Sequence, residues 1–222
     1  MKLDTDTICI ILARKNSKGI KNKNIKPICD NPLIFYNINS SLKAGLKTYV
    51  SSDCDNILKF SEECGAIPFK RNSKYASSTS PSEEALLEFC YTLDRNVTIV
   101  FVQPTSPLLE SKHLLEGLNL LTSFDSVFSA YKQHWLPNWS KNIHPIGWSL
   151  NSRPMRQDKS PVYIENGAFY ISKSDDIKKS KLRYSGNIGI YEMSLQDSFQ
   201  IDNLQDWELV EQLLYGKIKQ SM

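Results

Sequence analysis

The stretch from Arg14 to Lys26 concentrates residue types that could do chemistry. It carries Arg14, Lys15, Lys18, Lys21, Lys23 and Lys26, with no acid among them. Asn16, Ser17, Asn22 and Asn24 add small hydrogen-bonding side chains, and Gly19 gives the backbone a tight path. Such a loop suits phosphate oxygens. Its spacing is neither that of the GxxxxGK[ST] phosphate loop nor that of GxGxxG. A run of like charge is ordinarily a solvated face. This one follows directly on Ile8-Cys9-Ile10-Ile11-Leu12-Ala13, six apolar residues without a break. An unbroken apolar run bounded by polar residues fits a strand buried on both faces. In α/β proteins phosphates are held beyond the carboxyl end of such a strand. The loop cations themselves are expected to be exposed and to add little stability.

Other chemistry is thin. His113 falls in a predicted helix, and His134 and His144 lack metal-ligand spacing. No Ser-His-Asp or Cys-His pattern stands out, so nucleophilic catalysis by the protein is not expected. Phosphoryl transfer asks little beyond positioning, positive charge and a metal, which is what the residues offer.

The elements that must position this loop alternate in type. Asn31-Pro32 opens a helix with Leu33, Ile34, Tyr36, Ile38, Leu42 and Leu46 near helical spacing, closed by Gly45. Tyr49 to Asp53 reads as a strand, followed by a helix capped by Asp53 or Asp55 and ending at Gly65. Ala66 to Phe69 is a short strand. Ser80-Pro81-Ser82-Glu83 has the form of a capping box with Ser80 as the cap. Val97 to Val102 is a second buried strand, ending in the rigid turn Gln103-Pro104-Thr105-Ser106-Pro107. Leu108 to Leu121 reads as helix and Asp125 to Ala130 as strand. The rhythm breaks from about Tyr131 to Pro161, which holds Trp135, Trp139 and Trp148 and few apolar runs. An aromatic segment without a core of its own needs a partner surface, its own domain or another copy. Val162 to Ile164, Gly167 to Ile171 and Ile188 to Tyr191 resume strand character. A last helix, Asp202 to Tyr215, carries Leu204, Trp207, Val210, Leu213 and Leu214 on one side. The alternation predicts a three-layer, Rossmann-like, mainly parallel α/β sheet with right-handed connections.

At 222 residues the chain suffices for one such domain, 1–222, with the 131–161 segment as an excursion. Its formal net charge of +3 is carried largely by the front loop, which favours a local anion site over a nucleic-acid surface. No apolar run approaches the roughly 20 residues that span a bilayer, and Met1 to Asp6 does not read as a signal peptide. The five cysteines (Cys9, Cys29, Cys54, Cys64, Cys90) show neither CxxC nor zinc spacing and are expected to be reduced, cytoplasmic thiols.

Leu12-Ala13-Arg14-x-Asn16-Ser17-Lys18-Gly19, followed by Lys23-Asn24, resembles the signature of the N-acylneuraminate cytidylyltransferases (CMP-sialic acid synthetases) and their legionaminate and pseudaminate relatives. Further matches follow in order: Val50-Ser51-Ser52-Asp53, Arg71 with Ser77 to Ser82, Gln103 to Leu108, Arg156-Gln157, Asn166 to Tyr170, and Ile201-Asp202. They cover nearly the whole chain, and their combination is specific where each alone is weak.

The resemblance implies transfer of CMP from CTP to a sialic-acid-like nine-carbon sugar acid, with pyrophosphate leaving. It implies that Arg14, Lys18 and Lys23 hold the triphosphate. Ala13, Asn16, Ser17, Gly19, Asn24, Arg71 and Ser82 belong to the nucleotide side. Gln103, Thr105, Ser106, Tyr170, Arg156 and Gln157 belong to the sugar side. Asp202 binds Mg²⁺, with Mn²⁺ as an alternative, and a homodimer forms through residues 131–161. The general base stays open between Asp202 and a metal-bound hydroxide. Three positions depart from the family's pattern. Gln200 stands where Asp-x-Asp is usual, Ile164 where some members carry arginine, and Ser78-Thr79 where Asp-Thr is usual. The rival readings are an enzyme activating 3-deoxy-manno-octulosonate, and a non-catalytic nucleotide-binding protein of the same fold.

Overall fold

The computed structural model describes residues 6–17 and 19–220. In chain order the strands are β1 (Thr7–Leu12), β2 (Pro27–Ile28), β3 (Asn31–Pro32), β4 (Lys47–Ser52), β5 (Ile67–Lys70), β6 (Thr98–Val102), β7 (Ser126–Gln133), β8 (Asn138–Trp139), β9 (Pro145–Ile146), β10 (Val162–Lys173) and β11 (Ile188–Met193). The helices are α1 (Leu33–Lys43), α2 (Asp55–Glu63), α3 (Ser82–Cys90), α4 (Ser111–Asn119), α5 (Ser174–Ser180) and α6 (Leu204–Gln220). Seven strands form one sheet in the order β11-β7-β10-β6-β1-β4-β5.

The apolar run at β1 is buried because it lies between β4 and β6, parallel to both. Alternation then divides its residues between two cores. Cys9 and Ile11 face α1, α2 and α4 through Ile34, Ile38, Ile57 and Leu114. Ile8 and Ile10 face α3 and α5 through Leu86, Phe89 and Ile177. A third core joins α1 and α6 to the loop after β1, through Ile20, Leu33, Tyr36, Ile201, Trp207 and Val210.

β10 departs from the parallel expectation. It is antiparallel to both β6 and β7. The reason is its connection: residues 134–161 leave β7 and return without a crossover helix, and only a crossover would bring the chain back parallel. The two strands expected at 162–164 and 167–171 are one, with its register shifting between Glu165 and Tyr170. The protruding segment begins after Gln133, later than expected, since Tyr131 to Gln133 complete β7. Within it, β8 pairs with β9, and Trp139 and Trp148 meet edge to face at 5.0 Å.

Several helix details differ from expectation. Neither Asp53 nor Asp55 caps α2, whose cap position is Cys54. Ser80 does not cap α3. Pro81 occupies the cap, and the Ser80 hydroxyl bonds the Lys74 carbonyl instead. α4 starts at Ser111, because Leu108 and Leu109 are buried in the turn before it, where the Leu109 N–H bonds the Ser106 carbonyl. Leu204 is 59% exposed and lies off the buried face of α6. All five cysteines are unpaired.

Candidate active site

β1 pairs with β4 on one side and β6 on the other, so the strand order reverses at β1. A crevice opens beyond the carboxyl ends of strands at such a point. Here it is a cavity of about 440 Å³ lined by Leu12, Arg14, Ser17, Gly19, Lys23, Asn24, Ser82, Phe101, Gln103, Pro104, Thr105, Gln200 and Asp202. Leu12, Arg14 and Ser82 are shared with a side chamber of about 190 Å³, closed by Arg71, Tyr75 and the serines of residues 77–80.

The loop after β1 is built against the stretch that ends at Asp202. A Cβ on Gly19 would lie 1.9 Å from the Asp202 carbonyl oxygen, so no side chain fits there. Lys23 Nζ donates to the Ile201 carbonyl at 2.6 Å and lies 3.5 Å from the Asp202 carboxylate. Lys23 is only 8% exposed, which corrects the expectation of exposed loop charge. Burial pushes its ammonium below the ordinary lysine range, against the opposing pull of Asp202. The Asn24 amide donates to the Arg14 carbonyl at 2.9 Å, and the Arg14 guanidinium to the Ser77 carbonyl at 2.7 Å. Arg14 thereby ties the basic loop after β1 to the lip of the side chamber.

Arg71 is buried at the end of β5. Its Nε and Nη2 bond Ser51 Oγ at 3.0 Å and the Ser51 carbonyl at 2.8 Å. Burial lowers the guanidinium to about 10, with Asp53 and Glu88 pulling the other way. On the opposite wall, Gly167 sits at φ +65°, and a Cβ there would be 2.6 Å from Gln103 Oε1 and 2.7 Å from Gln200 Nε2. Thr105 Oγ1 lies 3.4 Å from Gln200 Oε1, and the Thr105 carbonyl accepts the Ile201 N–H at 2.9 Å.

The cavity thus gathers Arg14, Ser17, Gly19, Lys23, Asn24, Ser82, Gln103, Thr105 and Asp202, with Arg71 in the side chamber. Lys18 lies outside the described residues. Other expected site residues are elsewhere. The Ala13 side chain is buried in the core, and its N–H bonds the Ser51 carbonyl. Asn16 is exposed and does not line the cavity. Ser106 is 1% exposed and supports the turn, its carbonyl accepting from Asn37. Tyr170 is 2% exposed, stacked on Phe101 at 5.6 Å with the Arg183 guanidinium 4.7 Å from its ring, and its hydroxyl bonds Glu165. It supports Phe101 from behind. Arg156 and Gln157 are exposed and border a separate cavity beside Trp135 in the protruding segment.

Leu12, Phe101 and Pro104 join the lining without having been singled out from sequence. Their signal was available, since each stands at the carboxyl end of a strand read as buried. Asp202 is the one carboxylate among the lining residues, and its side chain is 73% exposed. Among the described residues no group of three or more His, Cys, Asp or Glu could hold a metal alone. One exposed carboxylate at a cationic cavity fits Mg²⁺, which commonly takes one or two carboxylates and completes its shell with phosphate oxygens and water.

The sequence pattern of a family described as cytidylyltransferase matches residues 8–222. N-acylneuraminate cytidylyltransferase A of Danio rerio is 35% identical over 214 residues, 91% of this chain and 49% of that protein. The enzyme of the same name from Streptococcus agalactiae serotype III is 27% identical over 213 residues, 90% of this chain and 51% of that protein. The chain spans about half the length of the curated relatives it matches. Among solved structures, a CMP:2-keto-3-deoxy-manno-octonic acid synthetase complexed with CTP superposes with TM-score 0.71, covering 96% of this chain and all of the other, at 14% identity. A 4-diphosphocytidyl-2C-methyl-D-erythritol synthase from Anaerococcus prevotii gives 0.68 at 11% identity, covering 94% and 98%. At these identities the superpositions speak for the fold alone.

Proposed function

Since the chain belongs to the cytidylyltransferase family, we propose that it transfers CMP from CTP to the anomeric hydroxyl of a sialic-acid-like sugar acid, releasing pyrophosphate. The observation that carries this reading is the division of one crevice into three chemistries. Arg14 and Lys23 offer cations, the 190 Å³ chamber offers a hydroxyl-lined space of pyrimidine size, and Gln103, Thr105 and Gln200 offer an uncharged polar wall.

Arg14 and Lys23 hold the triphosphate and oppose the charge that develops as pyrophosphate leaves. Lys18 is assigned the same task from its place in the loop. Arg71, Ser82 and Asn24 fix the nucleoside. Gln103 and Thr105 orient the sugar so that its hydroxyl meets the α-phosphorus, which accounts for much of the rate in phosphoryl transfer. Asp202 would hold Mg²⁺, or Mn²⁺ in its place. When bound, the ion supplies Lewis-acid stabilisation of phosphate charge. Exposed apolar residues on 134–161, with Ile143 at 76% and Leu150 at 68%, suit a second copy of this chain, and a two-fold dimer is the commonest assembly. No helix among the described residues is long and apolar enough to cross a membrane. A cytoplasmic location, close to CTP, accompanies this reading.

The test is pyrophosphate release from CTP with N-acetylneuraminate or 3-deoxy-manno-octulosonate as acceptor, with and without excess chelator. Release with the nine-carbon acid, lost on chelation, is expected. Release with the eight-carbon acid alone would assign the rival substrate. No release with either would turn the reading toward a non-catalytic nucleotide binder.

A further inference from the structure

Asp53 has the residue type and place of a helix cap, yet α2 takes Cys54 at that position, with no side-chain bond. The Asp53 carboxylate is turned to another element. Its Oδ1 accepts the Lys15 N–H at 2.7 Å, 38 residues back in the chain. The parallel ladder of β1 and β4 accounts for this placement. It runs past β1 to a bond from the Ala13 N–H to the Ser51 carbonyl at 2.9 Å. Two residues further along both chains, a carboxylate stands in for the carbonyl that would continue it. The side chain reaches across where β1 gives way to the basic loop and β4 to α2.

The same peptide group is held at its other end. Asn24 Nδ2 donates to the Arg14 carbonyl at 2.9 Å. That carbonyl and the Lys15 N–H belong to one trans peptide, in which they point in opposite directions. Asn24 is 4% exposed, so its grip is shielded from water. A peptide plane bonded at both edges resists turning, which fixes ψ of Arg14 and φ of Lys15. The Arg14 guanidinium gives one N–H to the Ser77 carbonyl at 2.7 Å, and a guanidinium has five to give. Arg14 thus enters the cavity and the chamber it borders from a backbone that is already set.

The charge at position 53 is informative. Residues 14–26 hold no acid, and an acid beside a polyphosphate site repels what binds there. A neutral acceptor would hold the Lys15 N–H without that repulsion, though by a weaker bond. The carboxylate also acts on Arg71: burial and the neighbouring Arg14 disfavour the Arg71 charge, while Asp53 favours it. Arg14 and Arg71 border the same chamber. One carboxylate therefore bonds the backbone beside the first and offsets the repulsion between the two.

We propose that Asp53 is a positioning residue: through the Lys15 N–H, and opposite Asn24, it holds Arg14 in the orientation that receives the triphosphate. This rests on the reading that the crevice takes CTP. It predicts a loss where plain electrostatics predicts a gain, since removing a bystander acid should tighten the binding of a polyphosphate.

The experiment measures the dissociation constants of CTP and CMP by calorimetry, on the full chain with Mg²⁺ and no acceptor sugar. The two ligands share the nucleoside and differ in their phosphates, so their ratio reports the triphosphate side. A general loosening of the fold would weaken both alike. Wild type is expected to prefer CTP. Asp53→Ala should reduce that preference roughly 10-fold, the scale of one hydrogen bond to a charged group, and should melt within a few degrees of wild type. Asp53→Asn, which keeps an oxygen for the Lys15 N–H, should recover most of the loss. In an Arg14→Ala background, Asp53→Ala should leave the ratio almost unchanged, because the side chain it positions is gone. A CTP preference that is unchanged or raised in Asp53→Ala overturns the proposal, as does an equal loss with and without Arg14. Pyrophosphate release with N-acetylneuraminate as acceptor is followed in parallel. The expected losses in CTP preference, with no release by wild type, would refute the proposed reaction and leave the positioning role standing. No binding of CTP by wild type would overturn both.

Discussion

Replacing Lys23 by methionine should separate what this side chain does for the fold from what it does for phosphate. Lys23 is 8% exposed and donates to the Ile201 carbonyl at 2.6 Å. Methionine fills most of the same volume, so little cavity forms. The carbonyl loses its partner, at a cost of about 1–3 kcal/mol. The pair with Asp202 is 3.5 Å long and its carboxylate is 73% exposed, so screening leaves it worth about 0–1 kcal/mol. Against these stands the relief of no longer burying an ammonium, whose lowered pKa shows that burial disfavours the charge. The net loss should be near 1 kcal/mol, or roughly 2–4 °C in melting temperature for a chain of this size. Most of a typical folding free energy of about 5–15 kcal/mol survives that loss. Turnover should fall by about 10²–10³, as when one preorganised donor to developing charge is removed. Thermal melting and pyrophosphate release measured on the same sample test the split. A folded variant that keeps turnover within tenfold of wild type would refute the phosphate role. A melting temperature lowered by tens of degrees would refute the bookkeeping.

Arg14→Ala, at a half-exposed position, should melt within about 2 °C of wild type and lose turnover; near-normal synthesis would sink the loop assignment. Glu110 offers a pH test. Burial opposes its ionisation, but hydrogen bonds and charge from Lys217 and Lys112 outweigh burial and bring it to about 2 from 4.5. A carboxylate held low stabilises the fold above pH 4.5 and loses that contribution as pH falls toward 2. With its side chain 40% exposed the effect is modest. The melting-temperature gap between wild type and Glu110→Gln should therefore narrow between pH 7 and pH 3, and a constant gap would contradict the sign. Ile143→Ser with Leu150→Ser should lower the dimer fraction in sedimentation without lowering the melting temperature of the sheet; a wild type that is monomeric and fully active at micromolar concentration would remove the dimer.

Some of this was legible because local pattern and tertiary placement agree. Ile8 to Ala13 is apolar throughout because both sheet faces are covered, and the basic loop follows because a strand's carboxyl end faces the crevice. Lys23 was misread as exposed because its partners, the Ile201 carbonyl, 178 residues further on, and Asp202 next to it, are remote in the chain. Tyr170 was placed on the sugar side by the resemblance, and strand alternation could not check this, because it gives a strand two faces and does not say which is the crevice. Its face holds Phe101 and Arg183. Ser80 satisfied a capping pattern, but its hydroxyl found the Lys74 carbonyl, a competition that local spacing does not resolve. The direction of β10 was hidden because it depends on the path of residues 134–161, which carry no periodic signal.

The stretch from Ser198 to Asp202 explains why the crevice can be stiff although most of its lining comes from loops. Ser198 accepts from the Asn166 amide at 2.8 Å, which ties it to β10 beside Gly167. Ile201 bonds Thr105 through its N–H and Lys23 through its carbonyl, and its side chain is fully buried with Trp207 and Leu108. The Asp202 carbonyl then fills the space that a Gly19 side chain would need. Five residues therefore join the turn after β6, the irregular strand β10 and the basic loop after β1, and each join is a buried bond or a contact that tolerates no added atom. Moving any one of the three loops would break a join in the other two. A geometry determined this many times over is what electrostatic catalysis requires, since its donors must be fixed before the charge develops. It also bears on the single carboxylate. With Lys23 3.5 Å from Asp202, and glutamine at position 200, the cavity holds less negative charge than two acids would give it. On the proposed reading, a triphosphate and a sugar carboxylate would then share the crevice with less repulsion, at the cost of one fewer protein oxygen for a metal.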